Sequence, residues 1–456
     1  MSTWKISCVP AFLVLASALA AQQPAGVTAI QGATIITGTG LPAIRNGAIV
    51  IQGGRITAIG PRAEVRVPSG AQVVDARGKW IIPGLIDAHV HIGQSGGLYT
   101  RPDMIDLRKW RPYDQELAWI KQRLPFTFEH YVLSGITGVV DCGGPMWNFE
   151  MRDIAAATKN APRVAIAGPL ISTDAPPTLP TNDPDVIKPN SPAEARDLVR
   201  RQLDRKPDLI KILFIRHPGD NFQQQLQIMS AAIQESKARN VRVAAHATEL
   251  ETAKAMVRAG ADILVHSVED RLVDTEFIDL VKNRDILYMT TLFVEDGYRQ
   301  VFNQQVMLTD IERKLGDPEV IATWSDLAKI PPNEIPGGIP RLPSPPRRPI
   351  AYDNLMLLES AGVRIVGATD AGNIGTLHGP ALHREFELMV GAGMRPMDII
   401  VSATKNAAAV MGRQADLGPL ERGKFADLVI LDADPLADIK NTRKISKVMK
   451  GGEFIP

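Results

Sequence analysis

Hydrophobic positions fall along the chain in two rhythms. Between Val27 and Trp80 the apolar runs are short and β-branched: Ala33–Thr37, Ala48–Ile51 and Arg55–Ile59, divided by glycine-rich turns such as Gly53-Gly54. Runs of this kind, bounded by turn residues, predict a small antiparallel sheet. From Ile81 onward the runs are more widely spaced, and each leads into a stretch of helical periodicity. They are Ile81–Val90, Gly138–Asp141, Val164–Ala167, Leu209–Phe214, Val241–His246, Ile263–His266, Ile286–Leu292 and Val363–Asp370. Eight strands with intervening helices is the count of a (β/α)8 barrel. Asn221–Arg239 illustrates the helical half, with Phe222, Leu226, Ile228, Met229 and Ile233 near helical spacing. After Asp416 the short β-rich style returns in Phe425–Leu431 and Ile445–Met449. The expected fold is α/β: a (β/α)8 TIM barrel over 81–411, with a small β-sandwich domain built from 27–80 and 417–456.

One segment fits neither rhythm. Pro331 to Pro349 is proline-rich and includes Gly337 and Gly338, so it cannot be helix or central strand. It lies between the seventh and eighth strands and should reach the barrel mouth, as a passive insertion, a lid or an oligomer contact.

The first residues read as a leader. Lys5 is the only charge before Arg45, an apolar run spans Ile6–Leu19, and small residues follow at Ala20-Ala21. That layout predicts a cleaved signal peptide over 1–21 and a periplasmic or secreted protein. The run is shorter than the roughly 20 residues of a spanning helix, so no membrane partner is expected after cleavage. Composition adds exclusions. Lys+Arg 51 against Asp+Glu 50 leaves a net charge of +1, which supplies no basic field for nucleic acid. Cleavage would remove Cys8 and leave Cys142 as a lone buried thiol, so no disulfide framework is possible.

Polar residues gather where a barrel does its chemistry, at the C-terminal strand ends. The first run holds His89 and His91, two apart and therefore on one face of a strand. The fourth holds Lys211, the fifth ends at His246, the sixth at His266 and the eighth at Asp370. Four imidazoles at one rim suit a borderline metal. Lys211 is unusual inside an apolar strand. As an ammonium it cannot ligate a metal, but burial beside cations would free its amine. A free amine captures carbon dioxide as a carbamate, whose two oxygens can bridge two ions. Asp370 could ligate a metal and accept a proton from an attacking water.

Gly84–His91, with the first-strand His-x-His, resembles the motif of the amidohydrolase superfamily. Val243–Ala247, Gly260–His266, Thr369–Gly372 and the tail Gly423–Val429 resemble its later segments. The likeness covers nearly all of the chain beyond the leader, and is nearest to the imidazolonepropionase-like and prolidase-like subgroup. It implies two divalent metal ions, with zinc usual, bridged by an N6-carboxylated Lys211. His89, His91 and Asp370 would hold one ion, His246 and His266 the other. Arg216 and His217 follow the fourth strand and are candidates for a substrate carboxylate. His378 is a candidate to contact substrate or to support Asp370.

The implied activity is a secreted metal-dependent amidohydrolase that cleaves an amide bond of dipeptide or N-acyl amino acid type through a metal-bridging hydroxide. Its partner is a small-molecule amide or dipeptide, and a homo-oligomer is open. Two other readings are a mononuclear cyclic-amide hydrolase or deaminase of the imidazolonepropionase type, and a non-catalytic periplasmic binding protein.

Overall fold

The computed structural model describes residues 26–179, 182–342 and 348–456. The expected signal peptide lies outside them. Among the described residues no helix is long and apolar enough to cross a membrane.

Both ends of the described chain enter one eight-stranded sheet. Val27–Ile35 pairs antiparallel with Ile44–Gln52, which pairs with Arg55–Pro61. The turn between the last two uses Gly53 and Gly54 at φ 58° and 77°. Positive φ at both central residues is what a two-residue hairpin of matching twist requires. A Cβ on Gly54 would also sit 2.7 Å from the Gly451 carbonyl. From the C-terminal end, Leu428–Leu431 pairs antiparallel with Trp80–Pro83 and with Ile445–Lys450. The sheet curls: Ile56 N donates to Lys424 O at 2.9 Å and Ala426 N to Gly54 O at 2.9 Å. The curl encloses a core of its own, including Ile30, Ile35, Ile49, Ile56, Ile81 and Leu428.

The central part alternates strand and helix and forms two parallel-strand sheets. Leu85–Val90, Ile136–Asp141 and Arg163–Ile166 make the first. Leu209–Leu213, Arg242–His246, Ile263–Val265, Leu287–Met289 and Arg364–Val366 follow one another in the second. The eight strands coincide with the eight apolar runs. Two shorter strands at the sheet's edge, Leu170–Ser172 and Val186–Ile187, give no signal in the pattern because two or three residues establish no period.

Backbone bonds link the sheets on both sides. Asp208 N donates to Ile166 O at 2.9 Å, His91 N to Ala371 O at 2.8 Å and Asp370 N to His89 O at 2.8 Å. Apolar side chains, among them Ala88, Leu209, Ala244, Val265, Met289 and Val366, pack as one buried cluster. Period-two alternation then carries polar residues into the next layer: Lys211 is two past Leu209, and His246 two past Ala244. The first strand breaks register against its neighbour between Asp87 and Val90. A bulge there re-aims side chains, and it is where His89 leaves the apolar layer.

The helix expected over Asn221–Arg239 spans Phe222–Ala238, with Asn221 as its N-cap accepting from Gln224 N. Between the seventh and eighth strands the chain builds helices Phe293–Phe302, Asp310–Leu315 and Pro318–Trp324. The proline-rich segment that follows packs Ile330 and Ile335 against Tyr298, Phe302 and Trp324. Pro349 at its end reaches the wall of the main cavity.

Candidate active site

The strand ends open into a cavity of about 740 Å³. All six residues expected to carry the chemistry line it: His89, His91, Lys211, His246, His266 and Asp370. His89 Nε2 and His91 Nε2 lie 3.2 Å apart. Asp370 Oδ1 is 3.5 Å from the first and 3.2 Å from the second. The His246 and His266 rings are 4.5 Å apart, and His266 is 5.1 Å from His89. His89, His266 and Asp370 offer ligand atoms within 4.8 Å of one another, a possible three-residue metal site.

The tautomers favour lone pairs pointing inward. His91 Nδ1 lies 2.7 Å from the Gly143 carbonyl, so Nδ1 carries the proton and Nε2 faces the cluster unprotonated. His266 Nδ1 is 2.6 Å from Thr291 Oγ1. Burial pushes the His89 and His246 imidazoles well below their ordinary range, and takes His266 to about 3. Burial works the same way on His91, but the Asp370 and Asp141 carboxylates outweigh it and raise that group. Burial would lift the Asp370 carboxyl, yet His89, His91 and His266 hold it well below the carboxylate range. Two backbone outliers accompany the cluster: His266 and Asp370 adopt φ 70° and 60°, a left-handed conformation that is unfavourable for such residues and concentrates at functional sites.

Lys211 is the anomaly. It is 1% exposed, and its Nζ has no hydrogen-bond partner. Burial lowers its pKa, against the opposing pull of Cys142 and Asp370. Together with the unpartnered His89 Nδ1 and Asp370 Oδ1, it makes a set of buried donors and acceptors that the protein itself does not satisfy. Nitrogen and oxygen ligands of this kind fit a divalent ion of the zinc type.

Three other candidates stand apart from the cavity wall. Arg216 turns outward to Glu249 at 3.0 Å. His217 is exposed and faces Asp174 at 3.4 Å. His378 is buried, its Nε2 2.7 Å from Gln94 O and its Nδ1 2.7 Å from the Tyr131 hydroxyl. Both ring nitrogens are thereby occupied in bracing the turn after His91.

Several residues escaped the sequence reading. Asp87 is fully buried and accepts from Thr369 Oγ1 at 2.6 Å and Thr369 N at 3.1 Å, locking the first strand to the residue before Asp370. Glu385 accepts from Leu292 N and Phe293 N, both at 2.9 Å, and so fixes the turn that presents Thr291 to His266. Asn373 accepts from Tyr298 at 2.6 Å and from Arg101, and its amide donates to Asp370 O at 2.8 Å. Only Asp87 had a sequence signal, the alternation Asp87, His89, His91.

The chain matches the amidohydrolase family over residues 80–455 and a bacterial imidazolonepropionase-like composite domain over residues 47–67. It belongs to the amidohydrolase family, hydrolases acting on amide carbon–nitrogen bonds that are generally metal-dependent. Ochratoxinase of Aspergillus niger is 26% identical over 481 residues, covering 96% of this chain and 88% of that protein. N-acyl-D-aspartate deacylase of Alcaligenes xylosoxydans xylosoxydans is 45% identical over 76 residues, 17% of this chain and 14% of that protein. Among solved structures, a Xaa-Pro dipeptidase has a TM-score of 0.70 at 24% identity and covers 94% of this chain and 100% of its own. The A. niger ochratoxinase structure has a TM-score of 0.69 at 23% identity, covering 94% of this chain and 96% of its own.

Proposed function

We propose that this protein is a metal-dependent hydrolase of small amides, of dipeptide or N-acyl amino acid type, holding two divalent ions with zinc as the expected metal. His89, His91 and Asp370 would hold one ion and His246 and His266 the other, with Lys211, carboxylated on its Nζ, as a ligand shared by both. The observation that carries this reading is the buried, partnerless Lys211 amine. Its unprotonated nitrogen would attack carbon dioxide; a nitrogen–carbon bond forms as one carbon–oxygen π bond opens, one amine proton leaves to solvent, and a single negative charge is shared by the two carbamate oxygens. Bound ions supply Lewis acidity, lowering the pKa of water and polarising the scissile carbonyl. The protein's own part is positional. Gly143 and Thr291 hold the rings of His91 and His266. Asp370 would accept the proton of the attacking water and return it to the departing nitrogen.

The wider frame belongs to the same proposal. The strands over 81–411 close as an eight-stranded barrel, the curled sheet from 27–80 and 417–456 packs as a sandwich, and the leader 1–21 directs secretion. The three-residue group of His89, His266 and Asp370 favours a second reading, a single ion serving cyclic-amide opening or deamination.

Elemental analysis of protein purified with bicarbonate and without chelators separates the two. Two equivalents of metal per chain, falling in Lys211→Ala together with most amidase activity, are expected. One equivalent in fully active protein, or an undiminished Lys211→Ala variant, would refute the binuclear scheme.

A further inference from the structure

Apart from the six clustered residues, most charged groups around the cavity have partners. Arg101 is held by Asp103 through contacts of 2.8 and 2.6 Å. Arg299 lies against Glu295 at 2.9 Å and against Asp296. Asp174 faces His217. Two carboxyls of the wall are left over, Asp185 and Glu269, and neither makes an ion pair among the described residues. Burial raises both carboxyls to about 7, so each is ionised only in part near neutral pH, and a cation placed beside either would favour its charged form.

Asp185 is the sharper of the two. It is 6% exposed, and its Oδ1 is buried without a hydrogen-bond partner. Its backbone cannot swing it outward, because Leu170 N donates to the Asp185 carbonyl at 2.8 Å at the start of the Val186–Ile187 pairing with Leu170–Ser172. A buried carboxyl held this rigidly without a partner is uncommon in a folded protein. Tyr113 lines the same wall. Tyr113 is 7% exposed, so its ring too is held within the wall and not spread over the surface. An ammonium supplies three donors and no acceptor, the complement of a carboxylate and a phenolic oxygen.

We propose that Asp185 and Tyr113 form a subsite for a protonated amine, with Glu269 as a second acidic contact, so that the substrate is an amide bearing an ammonium group, such as a dipeptide with a free amino terminus or an amino-acid amide. This rests on the amide-hydrolase reading above and narrows it, since an anionic N-acyl amino acid offers no cation to this wall.

The test keeps recognition separate from turnover. L-alanyl-L-phenylalanine, its N-acetyl derivative and L-alaninamide are titrated by calorimetry into the metal-free full chain, as wild type, Asp185→Asn and Glu269→Gln. The free dipeptide should bind wild type at least about tenfold more tightly than the acetylated one, a preference of the size charge-assisted contacts support. Asp185→Asn should bring the two to near parity, and Glu269→Gln should reduce the gap. Far-UV circular dichroism and melting check that the variants fold, and if Asp185→Asn does not, Tyr113→Phe takes its place. Equal affinities in wild type, a preference untouched by Asp185→Asn, or no binding by any of the three amides overturns the subsite. Turnover by the metal-loaded protein is measured separately. Selective binding without turnover would refute the hydrolase reading alone, and turnover without amine preference would refute the subsite alone.

Discussion

Replacing Lys211 by Met should move the metal-free and metal-loaded states in opposite directions. Methionine, one heavy atom shorter, keeps the apolar stem of the side chain and removes the amine. In the metal-free protein that amine is 1% exposed and unpartnered. An unsatisfied buried polar group costs about 1–3 kcal/mol, and an apolar replacement of similar shape is neutral or stabilising. The metal-free variant should therefore equal or exceed wild type, by up to about 3 kcal/mol. Metal reverses the order. An ion present at a hundred times its dissociation constant stabilises the folded state by about 2.7 kcal/mol. A variant that cannot form the bridging carbamate forfeits this for any ion that depends on it. The assay is urea or thermal unfolding of both proteins, once with chelator and once with zinc and bicarbonate, with metal content measured in parallel. A variant less stable than wild type by more than about 1 kcal/mol in chelator would show that the amine has a partner after all. An undiminished zinc-induced shift with full metal content would refute the bridging role.

Two further outcomes follow from the surrounding hydrogen bonds. Thr369→Val removes the 2.6 Å bond to Asp87 and the acceptor for Ala371 N at 2.9 Å. It should cost about 1.5–3 kcal/mol and lower kcat more than it raises KM, because Asp370 sits between the two lost contacts; urea titration and steady-state kinetics would expose an unchanged protein. His383, buried between Thr442 Oγ1 at 2.9 Å and Ser134 O at 3.0 Å, is pushed down to about 4 by burial. The unfolded chain, with its imidazole near the ordinary value, takes up the proton first as pH falls. Stability from this group is intact above roughly pH 6.5 and lost between there and about pH 4, by up to about 3 kcal/mol. His383→Gln should flatten that acid limb of the urea midpoint, and an identical slope would refute the assignment.

The legible part of the site was legible for local reasons. A strand alternates its side chains, so His89 and His91 had to share a face, and a lysine inside the apolar run Leu209–Leu213 had to be buried with it. The apolar runs coincide with strands because a segment covered on both faces needs continuous hydrophobicity. Arg216 and His217 show where adjacency misleads: they follow a strand end, but the chain turns there and Arg216 finds Glu249 outside the cavity. His378 lies eight residues past Asp370 and is claimed by Gln94 and Tyr131.

The sequence by itself determined which residues could sit at strand ends and on which face, because both follow from a two-residue repeat and the cost of burying charge. Only the tertiary structure decided what meets them there. Arg101 and Asp185 lie in loops, Tyr113 opens the helix Tyr113–Leu133 and Tyr298 lies in the helix Phe293–Phe302, yet all four line one cavity. Their convergence depends on how strands far apart in the chain pack and hydrogen-bond into one frame, and no local period encodes that distance.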